Sequence, residues 1–170
     1  ERLSATHTDS ELLVQKLYGL YREQELWERA AHAGERLLKF TEAGEQQLLW
    51  HLELGELYRR HLKDLSRARF HFERVLEVLP EDSRALVGLA ETFLERNEPT
   101  RAVNLYVKLL AQAEQTGDTE RLLDLHLRLA TLWQQQLKDP GSAVEYYSPN
   151  YPPLPTSVSS GGWFIIRRSE

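Results

Sequence analysis

An alanine recurs at positions 30, 68, 102 and 143, and four residues after each stand Gly34, Phe72, Tyr106 and Tyr147. The intervals between the alanines are 38, 34 and 41 residues. A small residue followed one helical turn later by a large ring lets a neighbouring helix approach closely at one level and fills the gap at the next. A second pattern, large-small-large, precedes three of these pairs: Leu54-Gly55 with Tyr58, Leu89-Ala90 with Phe93, and Leu129-Ala130 with Trp133. The tripeptides Leu62-Lys63-Asp64 and Leu137-Lys138-Asp139 are identical and 75 residues apart. Self-similarity at this period restricts the chain to stacked units, none of which can bury its apolar face alone.

From Asp9 to Tyr147 the apolar residues recur at helical spacing, as in Leu13, Leu17, Leu20 and Tyr21, or Leu48, Leu52, Gly55 and Tyr58. No stretch of this body alternates with period two over a strand length. The breaks carry helix punctuation. Thr8 with Glu11 has capping-box spacing, and Asp64, Asp82, Asp118 and Asp139 can each accept the free amides of a first turn. Pro99 and Pro140 suit a first helical position, and Gly117 suits a left-handed closure. Eight helices are predicted, at about 9–23, 25–40, 42–61, 65–79, 82–96, 99–115, 118–137 and 140–147.

These positions resemble the tetratricopeptide repeat, a helix-turn-helix unit of about 34 residues. Its run of Leu-Gly, Tyr, Ala, aromatic and Pro is best matched by Leu54-Gly55, Tyr58, Ala68, Phe72, Val75 and Pro80. Leu89-Ala90, Phe93, Ala102, Tyr106 and Leu109 match in the next unit. Leu17-Tyr18, Tyr21, Trp27 and Ala30 fall at the corresponding places before them, with Tyr18 where a small residue is usual. Leu129-Ala130, Trp133, Ala143 and Tyr147 follow. Units two and four carry an extra residue between their helices. The resemblance implies an all-α fold, a right-handed α-solenoid of antiparallel helix pairs. It has a lead-in at 1–8, units at about 9–40, 42–80, 82–115 and 118–147, and a non-helical tail at 148–170.

The first helices of such pairs line a concave groove that accepts a peptide or a helix. Carrying the family's groove positions over gives Leu52, Glu56, Arg59 and Arg60 in unit two. Unit three contributes Arg84, Val87 and Glu91, and unit four Leu127, Thr131 and Gln134. Leu52, Val87 and Leu127 make an apolar floor flanked by Arg59, Arg60 and Arg84, which suits a ligand with one apolar anchor and some negative charge. The competing reading pairs these arginines with Glu56 and Glu91 as a solvated face. The Lys and Asn set with which one subclass grips a chaperone's C-terminal carboxylate is not matched, because Gln15, Gly19 and Glu53 hold those places.

Composition excludes several chemistries. There is no Cys, which removes a disulfide framework, a thiolate metal site and a cysteine nucleophile. Lys and Arg number 21 against 26 Asp and Glu, a formal net charge of −5, which disfavours nucleic acid as a partner. No run approaches the roughly 18 apolar residues of a membrane helix. The six histidines lack metal-ligand spacing and read as surface residues, and Gly161-Gly162 lacks the context of a phosphate loop. Trp27, Trp50 and Trp133 read as packing between helices. No catalytic, cofactor-binding or metal residue is predicted, and no enzyme activity.

Four of the seven prolines, at 149, 152, 153 and 155, fall in the last 23 residues and stop the final helix. Trp163-Phe164-Ile165-Ile166 then has strand character. The expected function is a non-catalytic protein-interaction scaffold whose partner is a protein or peptide. Self-association through the tail or the open end around Leu129 and Trp133 is a second partner expectation. Two alternatives stay open: a structural segment of a larger repeat protein, and the regulatory part of an enzyme whose catalytic region lies elsewhere. The opening Glu1, without Met, is read as the start of a fragment or a processed product. No address signal is present, so the default compartment is the cytoplasm.

Overall fold

The computed structural model describes residues 2–135, with side chains from Ser10 to Gln134. Seven α-helices follow one another: α1 (Arg2–Glu23), α2 (Trp27–Phe40), α3 (Glu45–Leu57), α4 (Leu65–Val78), α5 (Ser83–Glu95), α6 (Pro99–Thr116) and α7 (Thr119–Gln135). A π-helical turn, Tyr58–Leu62, prolongs α3. Each helix packs on the next, and α3 also meets α5. The described residues are therefore an all-α stack of helix pairs, with no strand among them. The predicted eighth helix, with Pro140, Ala143 and Tyr147, and the tail at 148–170 lie outside the described residues.

The repeated small residues are where helices approach most closely. Ala30, Ala68 and Ala102 are fully buried, and Phe72 and Tyr106, one turn on, are buried beside them. The Phe72 ring fits between the backbones of α3 and α5, where both Gly55 and Gly88 lack a β-carbon. Gly34 accepts Leu54 and Tyr18 in the same way. Tyr18, at a site where the family keeps a small residue, is buried with its ring edge-on to Trp50 at 5.0 Å. Burial of a ring such as Phe72 is worth about 1.5–3 kcal/mol relative to exposure.

Three predicted caps form. Asp64 accepts from the Arg67 amide, Asp82 from Arg84 and Ala85, and Asp118 from Arg121, each at 3.0 Å. Each contributes about 1 kcal/mol to its helix. α1 does not start after Thr8 but runs through it to Arg2, because extending an existing helix is far cheaper than starting one and residues 2–8 contain neither Gly nor Pro.

Three of the joints share one geometry. Glu25, Asn97 and Gly117 close α1, α5 and α6 in the left-handed region, with φ of 55°, 61° and 69°. The next amide then returns to a carbonyl five residues back: Leu26 to Tyr21, Glu98 to Phe93 and Asp118 to Ala113. Unit two has one residue more. Tyr58 stands ten residues before Ala68, whereas Tyr21 and Phe93 stand nine before Ala30 and Ala102. The π turn absorbs that residue, and Lys63 (φ 54°) closes it with Asp64 N–H donating to Tyr58 C=O, six residues back. Tyr58 and Ala68 thereby keep the register of the other pairs. Tyr58 is anchored further by donating to Glu35 at 2.5 Å and accepting from Arg67 at 2.9 Å.

Candidate functional site

Along α3 and the π turn, Leu49, Leu52, Glu53, Glu56 and Arg60 recur at three- and four-residue steps, so they share one face. Ser83, Arg84 and Val87 of α5 stand opposite. Together they border a cleft of about 600 Å³ that Phe72 of α4 and Arg121 of α7 complete. Leu49 and Val87 supply its apolar surface with the buried Leu52 and Phe72 behind them, and arginines stand beside it on three elements.

Five of the ten groove residues expected from sequence line this cleft: Leu52, Glu56, Arg60, Arg84 and Val87. Leu127 is half-buried, and Thr131 and Gln134 are exposed, further along α7 and outside it. Thr131 donates to the Leu127 carbonyl at 2.8 Å.

Arg59 does not line the cleft and follows the competing reading, in which it pairs with Glu56 and Glu91. It is 7% exposed, and its guanidinium reaches Glu56 at 2.9 Å, Glu91 at 2.7 Å and Glu95 at 3.0 Å. Arg59, in the π turn, thus sits in the joint between α3 and α5 and does not line the cleft. Burial opposes its charge, but Glu56, then Glu95 and Glu91, outweigh that and raise its pKa. Glu95 is held below the usual carboxylate range: burial works the other way, but Lys63 and Arg59 prevail. Glu91 continues toward Arg128 of α7 at 3.8 Å, and Arg128 bonds Asp124 at 2.8 Å. Arg59 and Glu91 thus tie three first helices together behind the cleft.

The lining charges differ in how far they are satisfied. Glu53 is held by Arg22 at 3.1 Å and Tyr18 at 3.4 Å, and Arg60 pairs with Glu56. Arg84 pairs with Asp82 at 3.0 Å. Arg121 has no ion-pair partner among the described residues. Arg84 and Arg121 are the second and third residues of α5 and α7, where the helix macrodipole disfavours a cation by about 0.3–1 kcal/mol. Leu49, Glu53, Phe72, Ser83 and Arg121 line the cleft without being among the groove residues expected from sequence. A cation in the first turn of two successive first helices is the sequence signal that points to Arg121.

The histidines also depart from expectation. His51 and His71 are buried, their Nδ1 atoms 2.9 Å apart between α3 and α4. His61 is exposed, yet stacks on Trp27 with ring centroids 3.6 Å apart. Trp133 packs against the core, as Trp27 and Trp50 do against their ring partners. Among the described residues no three His, Asp or Glu side chains converge as metal ligands, and no helix is long and apolar enough to cross a membrane.

Residues 60–129, from the π turn to α7, match the tetratricopeptide repeat family, and this part of the chain is a tetratricopeptide-like repeat region. Such repeats generally mediate protein–protein interaction, and the family is typically non-catalytic. No curated protein matches the chain.

Proposed function

We propose that the chain is a non-catalytic protein-interaction scaffold that receives a peptide or helix in the cleft between α3 and α5. The observation that carries this reading is the half-buried apolar surface of Leu49 and Val87, backed by the buried Leu52 and Phe72, open to a cleft of about 600 Å³ and bordered by arginines. Val87 and Leu49 contact the apolar anchor, while Arg84 meets its polar flank and Arg60 stays paired with Glu56 at the cleft's edge. Arg59 and Glu91 act through the frame, holding α3, α5 and α7 in place. Leu127, Thr131 and Gln134 extend the surface for a longer ligand. The test is selection of random 16-residue peptides displayed against the full chain. Selected peptides should lose binding to Val87→Gln and Leu49→Gln variants; binding unchanged in both would refute the cleft.

A second reading has its own support. Leu12, Leu13 and Leu20 on α1 are 51%, 60% and 49% exposed, as expected where a further repeat, or another copy of the chain, continues the stack. Sedimentation of the full chain with and without Leu13→Glu and Leu20→Glu tests self-association: a dimer converted to monomer supports it, and a monomer in both refutes it.

A further inference from the structure

Resting on the cleft reading above, we propose that the occupant is a helical segment of another protein. Its single acidic side chain, an Asp or Glu three or four residues from its apolar anchor, is held between Arg84 and Arg121. The charge balance of the cleft sets the ligand's charge. Its lining carries three arginines and two glutamates, which leaves one unit of positive charge. Arg60 and Glu53 are engaged within the fold, and Arg84 is partly compensated by Asp82. Arg121 alone of the three arginines has no carboxylate partner among the described residues.

A guanidinium can present a two-donor fork to a planar carboxylate, so one carboxylate satisfies Arg121 while drawing a second contact from Arg84. A dianionic phosphate would bring a second charge against Glu53 and Glu56, which line the same cleft. A run of acidic residues would also be repelled by a chain whose net charge is −5. The apolar floor beside these arginines calls for an anchor on the same face of the ligand, and helical spacing of three or four residues provides that.

The probe is the displayed library of 16-residue peptides, selected on the full chain and separately on Arg121→Glu. Arg121 is half-buried, and an unchanged melting temperature and far-UV spectrum identify the variant as folded; Arg121→Ala serves in its place if Arg121→Glu is not. The expected result is enrichment of one Asp or Glu three or four residues from Leu, Ile or Phe. A tenfold or greater loss of affinity is expected in the Arg121 variant, with selection of Lys or Arg in place of the acid by Arg121→Glu. Amidating the peptide C-terminus should change nothing.

Selected peptides that lose affinity in Val87→Gln but bind the Arg121 variant equally well would overturn the carboxylate while leaving the cleft standing. Peptides indifferent to both changes, or no peptides at all, would overturn the two together. Tighter binding of a selected peptide resynthesised with phosphoserine in place of its Asp or Glu would replace the carboxylate by a phosphate and so overturn it. Cross-linking from Ser83→p-benzoylphenylalanine to the same chain or to a second copy would show a different occupant, with the same consequence.

Discussion

The ring of Phe72 lies against the backbone of Gly88: a β-carbon on Gly88 would stand 2.4 Å from Cζ and 2.5 Å from Cε1. The ring cannot retreat, because on its other side a β-carbon on Gly55 would already be 2.7 Å from Cε1. Gly88→Ala gains about 1 kcal/mol of helix propensity and loses about 1–3 kcal/mol to overpacking. The net expectation is a destabilised protein, with a lower urea midpoint. Adding Phe72→Leu should recover part of the loss, and simple additivity of the two changes would contradict the contact.

Arg59 is the second structural hinge of the account. Arg59→Met leaves Glu56, Glu91 and Glu95 facing one another without their shared cation. Breaking a fully buried pair costs about 3–5 kcal/mol, and these carboxylates are partly exposed, so about 2–3 kcal/mol is expected from urea unfolding. Arg59→Lys should fall between the two, because an ammonium cannot serve three carboxylates with a planar fork.

Acid should weaken the α3–α4 joint. Burial, and then the neighbouring His51, lower the His71 pKa to about 4; burial, and then Arg74, also lower His51. Arg67 acts with these effects on His71, while Glu35 opposes them there and Glu77 opposes them at His51. The folded pKa lies below the unfolded value near 6.5, so the unfolded chain binds more protons between the two values. Stability attributable to His71 is therefore complete above about pH 6.5 and falls as pH drops toward 4, by an amount on the order of 3 kcal/mol. Urea unfolding of His71→Phe and the parent chain from pH 7 to 4 checks this: the parent should lose more.

Much of this fold was legible in the sequence, because helix periodicity, capping aspartates and the alanine-aromatic pairs are local signals that tertiary packing reinforces. The site was legible only in part. Leu52, Arg84 and Val87 follow from the family's groove positions carried over onto α3 and α5. Arg59 pairs with Glu56 and Glu91, as the competing reading has it, but the π turn that carries it is not legible. No one-residue pattern in the sequence says whether an insertion will be looped out or wound in. His51 and His71 looked like surface residues because their pairing joins two helices 20 positions apart.

The π turn itself yields a prediction. Deleting Arg60 would bring Tyr58 to nine residues before the alanine that follows, as in the pairs Tyr21 with Ala30 and Phe93 with Ala102. The shortened chain should fold with an ordinary α-helical last turn. The lost stacking of His61 on Trp27 would cost about 0.5–1.5 kcal/mol. Deleting Ala90 from the middle of α5 rotates the rest of that helix by about 100° and should unfold it. Far-UV circular dichroism with urea titration separates the two.

The most direct test of the cleft is a methyl and amide NMR titration of the full chain with a selected peptide. The account predicts shifts concentrated at Leu49, Leu52, Val87 and Arg121. Shifts confined to the exposed leucines of α1, or to Phe70 and Val78 on α4, would contradict it.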